Sequence, residues 1–416
     1  MKKLNIFLIN LILFQQLSAQ TTDSISMNPG YTDEVYWSLP SGNAGSFPIN
    51  GWELAFRLGL QTSSIFINSA NGVSLFHVPN TDTSGWATFD TTGITSWKEL
   101  FNSDTSWEYG AFDISSTGFP DFSWGDYDLN THIVTGDSLY IIKLNSSTYK
   151  KLWIIKKDFG NWTFRYANLD NTEDVTVTIN GADFPNKNFA YYSITNSQTL
   201  NSEPDNSAWD LLFTRYLTLL PPDNTPYLVS GVLTNVGVET AEARPVDLST
   251  VDLSNYTDSF TSNISQIGYD WKYFDMTLNE YFVEDSLCYF VKSINSDIYK
   301  IVFKSFEGSS TGNISWEQTF LLTSLSPIQK QLESASVFPN PVTNYFDLIF
   351  YARESLSNVD IEVYNVDGRR VMHTLIDANQ GLNQKKLTLP ELASGVYLVN
   401  ISTLNDGINL KMVVAR

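Results

Sequence analysis

Cysteine, histidine and positive charge are scarce in this sequence of 416 residues. Its one cysteine, Cys288, excludes an intrachain disulfide and a zinc site made of thiolates. Its three histidines, His77, His132 and His373, are too widely separated to match the spacing of a metalloprotease site. Acidic residues outnumber basic ones by 45 to 25, and the resulting charge of −20 disfavours binding to nucleic acid or to an anionic membrane.

Long hydrophobic runs are also missing after the first twenty residues, so no transmembrane segment is expected. At the start, Lys2 and Lys3 precede an apolar run, and small residues then end at Ala19. This pattern predicts a signal peptide over residues 1–19, with Gln20 as the new N-terminus. We therefore expect export to the periplasm as the first step.

Patterns that carry catalytic chemistry are weak. Cys288 lies in an apolar run, which is typical of an inert residue in a buried strand. The Gly-x-Ser-x-Gly pattern of many serine hydrolases is absent. Loop carboxylates such as Asp126 and Asp128 are of the residue type that glycosidases use, so this enzyme class is not excluded. They lack the spacing of a calcium-binding loop. We expect no catalytic residues and no metal-ion site.

What the sequence does contain is a repeat. The segment WELAF (52–56) recurs as WDLLF (209–213), and the separation is 209 − 52 = 157 residues. The preceding YWSL (36–39) recurs as YYSI (191–194), and later landmarks recur in the same order. This pattern predicts a tandem duplication of one β module, with the copies at residues 20–170 and 171–322.

Short runs of β-branched and aromatic residues, bounded by turn residues, predict an all-β fold. The closing strands of the first copy are predicted at 138–144, 152–156 and 162–166, and those of the second at 287–293, 299–304 and 314–320. Residues 96–102 fit either a short helix or an irregular turn. In the repeated segment, Trp52, Leu54 and Phe56 are expected on one face of a strand. Glu53 and Asp210 then lie on the opposite face, either solvated or bonded to backbone amides.

A linker is predicted at 323–336, followed by a third unit at 337–416. Its alternating pattern and seven short strands predict an immunoglobulin-like β-sandwich. Four blocks occur in order, VFPNPV (337–342), VYNVDGR (363–369), LASGVYLV (392–399) and KMVV (411–414). With these blocks the unit resembles the type A C-terminal sorting domain of type IX secretion cargo. The resemblance implies that residues 337–416 engage the type IX secretion machinery, and that the protein is secreted or attached at the outer surface.

The duplicated part resembles the HmuY family of haem-binding proteins over most of residues 31–322. The matching features, once per copy, are the aromatic opening, the Trp-acid-Leu-x-Phe block, an aromatic pair (Trp124 and Tyr127; Trp271 and Phe274) and the closing strands. The resemblance implies two tandem HmuY-like antiparallel modules and haem as a possible cofactor.

The family holds haem through axial side chains, one of which follows the aromatic pair. Five residues beyond Trp271 stands Met276, whose thioether is an accepted haem ligand. The same count in the first copy gives Leu129, which is not a ligand, and His132 lies three residues further on. Met276 and His132 are therefore the candidate axial ligands, and core packing for Met276 or a surface role for His132 are the ordinary alternatives.

The chain is thus predicted to be a non-enzymatic, secreted or cell-surface binding protein with haem or a related tetrapyrrole as the leading ligand. A surface adhesin or glycan-binding protein without haem is the alternative. It depends on the 11 Trp, 21 Tyr and 26 Phe, among which Trp97, Trp107 and Trp162 are candidate stacking rings. Filling of β cores is the competing explanation for these rings.

Overall fold

The computed structural model describes residues 20–59, 62–144, 147–322, 331–403 and 407–415. The predicted signal peptide and most of the predicted linker, residues 323–330, lie outside these ranges. The described chain consists of strands with a few 3-10 helices of three residues each, which confirms the all-β prediction. It divides into two compact units, residues up to Leu322 and residues from Thr323 onward.

The first unit contains strands β1 to β23. Those up to the end of the first predicted copy are β1 (Gln20–Ser26), β2 (Asp33–Ser38), β3 (Gly42–Pro48), β4 (Leu54–Arg57), β5 (Ile65–Ile67), β6 (Ser74–His77), β7 (Glu99–Leu100), β8 (Gly125–Tyr127), β9 (Ile133–Gly136), β10 (Tyr140–Lys143), β11 (Tyr149–Asp158) and β12 (Asn161–Asn168). The remainder are β13 (Val175–Ile179), β14 (Phe189–Ser193), β15 (Gln198–Leu200), β16 (Leu211–Leu220), β17 (Thr225–Thr234), β18 (Glu239–Ala243), β19 (Lys272–Asp275), β20 (Glu280–Val283), β21 (Cys288–Lys292), β22 (Ile298–Phe306) and β23 (Asn313–Leu322).

The 3-10 helices connect these strands. They are Ile49–Gly51, Ser69–Asn71, Thr83–Gly85, Ile94–Ser96, Gly181–Asp183, Leu253–Asn255 and Gly308–Ser310. Residues 96–102 thus hold the end of one 3-10 helix and the short strand β7, so the predicted helix is absent there and the segment includes a strand that neither alternative anticipated. Within the described residues, the structure contains no helix long and apolar enough to cross a lipid bilayer.

Two central four-stranded sheets organise the first unit, in the orders β15-β14-β4-β5 and β17-β16-β2-β3. Further sheets lie beside them: an eight-stranded sheet that includes β10, β11 and β12, and a five-stranded sheet in the order β1-β23-β22-β21-β18. The six closing strands predicted from sequence are present as β10–β12 and β21–β23. A separate ribbon is formed by β19 and β20.

The opening strand of each sequence copy pairs with the other copy. Strand β14, from the second copy, pairs with β4 of the first, with Leu54 opposite Tyr192. Strand β2, from the first copy, pairs with β16 of the second, with Leu211 opposite Trp37. In addition, β1 pairs with β23. The strands therefore form an inserted half, β4–β15, and a flanking half, β1–β3 with β16–β23.

Each half has its own apolar core. The core of the inserted half includes Leu54, Phe56 and Tyr192, all buried. The core of the flanking half includes Trp37 and Leu211, also buried. Since each core contains residues from both sequence copies, both copies are needed to complete either one.

The alternation predicted for the repeated segment holds only in part. Leu54 and Phe56 point into the core of the inserted half, as expected. Trp52 instead packs with Ala55 and Tyr191 on the opposite face. It has an extended backbone but precedes β4, which begins at Leu54, so the regular alternation of that strand does not include it. The prediction that Trp52 shares a strand face with Leu54 and Phe56 is therefore wrong for Trp52.

Glu53 and Asp210 anchor the exchanged strands. Glu53 Oε2 accepts a hydrogen bond from the backbone N–H of Ile194 at 2.7 Å, and Asp210 Oδ2 accepts one from the N–H of Leu39 at 2.8 Å. Asp210 Oδ1 also accepts from the N–H of Ile294 at 2.9 Å. Both carboxylates are buried, so they are bonded to backbone amides rather than solvated. Equivalent residues of the repeat thus make equivalent contacts across the exchange.

The second unit is a two-sheet sandwich of seven strands. They are β24 (Leu332–Phe338), β25 (Tyr345–Ala352), β26 (Leu356–Asn365), β27 (Arg370–Ala378), β28 (Gly381–Thr388), β29 (Gly395–Ser402) and β30 (Gly407–Val414). One sheet has the order β24-β25-β28 and the other β27-β26-β29-β30. Phe346, Leu348 and Phe350 are buried in its core, as the alternation predicts.

Asp210→Ala tests the anchoring role. The substitution leaves the N–H groups of Leu39 and Ile294 buried without an acceptor, and we expect it to lower the free energy of unfolding by roughly 2–4 kcal/mol. Denaturant unfolding of residues 20–322 measures this. The matched control is Asp223→Ala at an exposed aspartate, expected to change stability by less than about 0.5 kcal/mol. Equal effects of the two substitutions would contradict an anchoring role.

Candidate functional site

His132 lies at the tip of the hairpin formed by β8 and β9. Asp128 Oδ1 accepts hydrogen bonds from the N–H groups of Asn130 at 2.7 Å and Thr131 at 3.1 Å, which closes the turn. His132 follows with a φ of 60°, in the left-handed region. Histidine is one of the few residues enriched there apart from glycine. The turn thus fixes the backbone from which the imidazole projects.

The second copy builds the same turn in the hairpin of β19 and β20. Asp275 Oδ1 accepts from the N–H groups of Thr277 at 2.7 Å and Leu278 at 3.0 Å. The left-handed position is held by Asn279, with a φ of 56°. His132 and Asn279 are therefore structural equivalents, and only the first copy offers an imidazole at this position.

The His132 side chain lines a cavity of about 450 Å³ in the inserted half. Its Nδ1 lies 2.6 Å from Tyr127 Oη, a hydrogen bond that orients the ring. With Nδ1 engaged, Nε2 is the nitrogen that can bind a further group. The cavity is thus equipped with an oriented imidazole.

Aromatic rings form much of the wall of this His132 cavity. Phe119, Phe122, Tyr127 and Phe159 all line it. Phe119 and Phe159 are 66% and 69% exposed, although apolar side chains of this size are usually covered. The ring of Phe119 lies 5.3 Å from that of Tyr127, centroid to centroid. A flat apolar ligand in the cavity would remove these rings from water.

Lys157 also lines the His132 cavity. Its Nζ donates a hydrogen bond to the carbonyl of Gly59 at 2.6 Å and lies 5.1 Å from the centroid of the Trp162 ring. Burial, with the nearby Arg57 guanidinium, lowers the pKa of the Lys157 ammonium to about 7. The lysine is therefore only partly protonated near neutral pH, and its Nζ is already bonded to the Gly59 carbonyl.

The structure places the other candidate ligand, Met276, in the β19–β20 hairpin. Its side chain is 88% exposed at the tip, and the equivalent Leu129 is 67% exposed. Met276 is not among the residues that line the His132 cavity. The two candidate ligands therefore belong to equivalent hairpins of different copies, not to one cavity.

The candidate stacking rings and the remaining histidines lie elsewhere. Trp162 is fully buried in the core of the inserted half, so it is a packing residue. Trp97 and His77 line a separate cavity of about 340 Å³. His373 Nε2 lies 3.0 Å from Asp360 Oδ1 in the second unit. Glu362, Asp360 and His373 form a cluster whose residue types could bind a metal ion. The Glu362 carboxylate, however, already pairs with the Arg370 guanidinium.

A third cavity, of about 90 Å³, lies between the central sheets of the two halves. Sequence analysis did not identify it. Tyr36 and Tyr191, which are equivalent in the repeat, approach each other beside it with their hydroxyl oxygens 3.5 Å apart. Glu34 lies on the same face of β2 as Tyr36, two residues away, and its carboxyl is buried. The two-residue spacing of Glu34 and Tyr36 was the only sign of this cavity in the sequence. It places both side chains on one face of β2 but does not reveal which sheet packs against that face.

Two buried carboxyls lie near the tyrosine pair. Glu203 Oε2 accepts a hydrogen bond from Tyr191 Oη at 3.2 Å, and Glu34 Oε2 accepts one from Thr214 Oγ1 at 3.3 Å. Burial raises the pKa of Glu34 to about 8 and that of Glu203 to about 7. Between the ordinary glutamate pKa and these raised values, each carboxyl is protonated in the folded protein and loses its proton when the protein unfolds.

Comparison with known proteins identifies the second unit. Residues 336–415 match the family described as secretion system C-terminal sorting domain. No curated protein matches the chain. Among solved structures, dimeric latent PorU from Porphyromonas gingivalis shows 10% identity over 95% of this chain and 34% of that chain, with a TM-score of 0.19. A likeness that low supports no conclusion about fold or function.

The sorting domain confirms the predicted partner and destination. It indicates export by the type IX secretion system to the cell surface or outside, and interaction with the secretion machinery. The resemblance of residues 31–322 to haem-binding proteins stays a prediction.

Removal of the second unit tests the sorting role. A chain that ends at Leu322 is expected to accumulate in the periplasm, because it lacks the domain that the secretion machinery binds. Cell fractionation and protease treatment of intact cells measure its location, with the full-length chain as control. Surface or supernatant localisation of the truncated chain at the full-length level would contradict this role.

Stability between pH 5 and 7 tests the buried carboxyls. The folded pKa of Glu34 and of Glu203 is raised above the unfolded value, so their protons are lost on unfolding and stability falls as pH rises through this window. We expect these two carboxyls to cause a loss on the order of 5 kcal/mol, of which Glu34→Gln removes about half.

The window ends at pH 7 because Lys157 and Lys272 have pKa values lowered by burial to about 7. Above that pH they favour the folded state as pH rises, which opposes the carboxyls. Denaturant unfolding of wild type and Glu34→Gln at several pH values measures the slope. An equal slope in the two proteins would show that Glu34 does not carry a raised pKa.

Proposed function

We propose that the exported part of the chain is a non-enzymatic ligand-binding protein, and that its ligand is haem or a related tetrapyrrole bound in the His132 cavity. The observation that carries this proposal is the oriented imidazole in an aromatic cavity. Met276 and His132 were the two ligand candidates from sequence, and His132 is the one with a cavity around it.

The donor atom fits haem iron. A neutral imidazole is a common axial ligand, and it binds iron through one nitrogen while the other is hydrogen-bonded to a neighbour. In this chain Tyr127 Oη would accept the Nδ1 proton of His132, which leaves the Nε2 lone pair for the iron. Bound haem would supply the iron and the light absorption by which binding is measured.

The size and walls of the His132 cavity also fit. Its volume of about 450 Å³ falls within the range of roughly 300–1,000 Å³ typical of small-molecule sites. The exposed rings of Phe119 and Phe159 offer apolar surface for a flat macrocycle, and covering such rings is favourable by about 25 cal/mol per Å². Since Asn279 replaces histidine in the second copy, we expect one haem per chain.

The buried carboxylates support binding rather than hydrolysis. Asp113 Oδ2 accepts hydrogen bonds from the backbone N–H groups of Ile65 at 2.9 Å and Gly110 at 3.1 Å. Glu53 and Asp210 accept from backbone N–H groups in the same way. These side chains hold the fold together, so we propose no general acid or base among them.

A glycan-binding or adhesive function is the second candidate. Exposed aromatic rings that flank a cavity are also how proteins stack against sugar rings, and Phe119 and Phe159 have this exposure. This alternative does not need the His132 imidazole, whereas haem ligation does. Substitution of that side chain therefore separates the two functions.

Titration of residues 20–322 with haemin tests the haem proposal. We expect saturable binding at one site with a shifted Soret band. His132→Asn should abolish the shift, because asparagine keeps the left-handed turn, as Asn279 does, but offers no imidazole. Tyr127→Phe should weaken binding by about 10–100-fold, since it removes only the partner that orients the ring.

His77→Ala is the matched control, because it removes the other imidazole of the first unit and should leave the spectrum unchanged. Met276→Ala, at the exposed hairpin tip, should also leave it unchanged. If the shifted Soret band were lost in Met276→Ala but kept in His132→Asn, the axial ligand would be Met276 and not His132. Haemin binding without any saturable, substitution-sensitive signal would rule out the haem proposal and favour the glycan-binding alternative.

A further inference from the structure

The cavity between the two central sheets is distinct from the His132 cavity. Its walls come from both halves of the first unit. Trp107 Nε1, from the inserted half, donates a hydrogen bond to the carbonyl of Thr234 in the flanking half at 2.8 Å. Thr218 of the flanking half donates one to Asp104 of the inserted half. These contacts join the two halves at residues that line the cavity or lie beside it, so it is a built feature of the interface between the halves.

Aromatic rings from both halves line this interface cavity. They are Trp52, Phe66, Trp107, Phe189 and Tyr191 from the inserted half and Tyr36 and Tyr216 from the flanking half. Several contact one another, with centroid distances of 5.7 Å between Phe66 and Trp107 and 5.4 Å between Phe66 and Phe189. The negative π faces of such rings attract a cation, and most strongly where water is excluded.

The carboxyl of Glu34 supplies the polar end of the interface cavity. Its side chain is 5% exposed, and Oε2 accepts a hydrogen bond from Thr214 Oγ1. The Tyr36 side chain is a further polar neighbour, which lowers the pKa of Glu34 less than burial raises it. Oε1 has no hydrogen-bond partner among the described residues. A buried carboxyl oxygen without a partner is costly, because it loses its water and gains nothing in return. Once Glu34 ionises, its Oε1 has no hydrogen-bond donor or positive charge to meet among the described residues.

The other charged groups around Glu34 do not meet that need. Asp33 and Glu203 carry the same sign of charge and raise its pKa further. Asp104 lines the cavity but accepts from Thr218. Arg215 also lines it, yet its guanidinium carbon lies 5.9 Å over the ring of Tyr31. The protein provides no buried ammonium or guanidinium to pair with Glu34 among these residues.

We propose that the interface cavity binds a small organic ammonium ion, held by the Glu34 carboxylate and by the aromatic rings around it. Aromatic cages combined with a carboxylate are a recognised way to bind methylated ammonium groups. The acidic surface, with a net charge of −20, also raises the local concentration of cations. The proposal is independent of haem binding, because it concerns a different cavity.

The size of the interface cavity limits the ligand. Its volume of about 90 Å³ is several times the ~10–15 Å³ that one water molecule needs, which fits a small organic ion. It is far smaller than the His132 cavity. Because the walls come from both halves, the bound ion would also hold the halves together.

Proton release is expected on binding. Burial raises the pKa of Glu34 to about 8, so this carboxyl is mostly protonated at pH 7 in the free protein. An ammonium ion placed beside it favours the ionised form. Binding at pH 7 should therefore release up to one proton per site, a readout that a merely apolar cavity would not give.

Calorimetric titration of residues 20–322 at pH 7 with choline tests the proposal, and a pH-indicator dye in weakly buffered solution measures proton release. We expect saturable binding of choline at least about tenfold tighter than that of its uncharged analogue, in which carbon replaces nitrogen. Glu34→Gln should weaken choline binding at least about tenfold and abolish the proton release.

Glu203→Gln is the matched control. It changes an equally buried carboxyl beside the same tyrosine pair, but Glu203 does not line the interface cavity, so choline binding should persist. Circular dichroism of both variants establishes that they fold. Equal affinity for choline and its uncharged analogue, or no binding of either by the wild type, would overturn the proposal without reference to any variant.

Discussion

The reciprocal pairing of strands between the two sequence copies is the constraint on which the first unit depends. The opening strand of each copy completes a sheet of the other, and its backbone is held there by a buried carboxylate, Glu53 in one case and Asp210 in the other. A buried acceptor of this kind is expensive to leave unpaired, so the exchange is strongly specified. Because each core draws residues from both copies, the two halves are expected to fold as one body.

At the hairpin that carries His132, the two copies share the residue that fixes the backbone and differ at the residue that faces the cavity. Asp128 and Asp275 close the same hairpin turn, yet the next left-handed position is His132 in one copy and Asn279 in the other. Such divergence lets one scaffold present different chemistry at equivalent places. The proposed haem site arises where the two copies are no longer alike.

The two proposed sites also differ in how the fold builds them. The His132 cavity depends on one hairpin and the loops beside it, which are local features of the inserted half. The interface cavity exists only because two central sheets face each other, and its carboxyl, Glu34, is brought there by the exchanged strand β2. The second unit has an apolar core of its own.

The sequence by itself determined the features that local patterns encode. Alternating apolar residues and turn residues predicted the closing strands and the sandwich of the second unit, because a strand's two faces follow from its own residue order. The recurrence of WELAF as WDLLF predicted the repeat. Only the tertiary structure decided the exchange of β2 and β14, the burial of Trp162 and the cavity beside Glu34. These depend on which distant segments pair, as when Gln20 comes to lie opposite Thr319, and no local pattern records the partner of a strand.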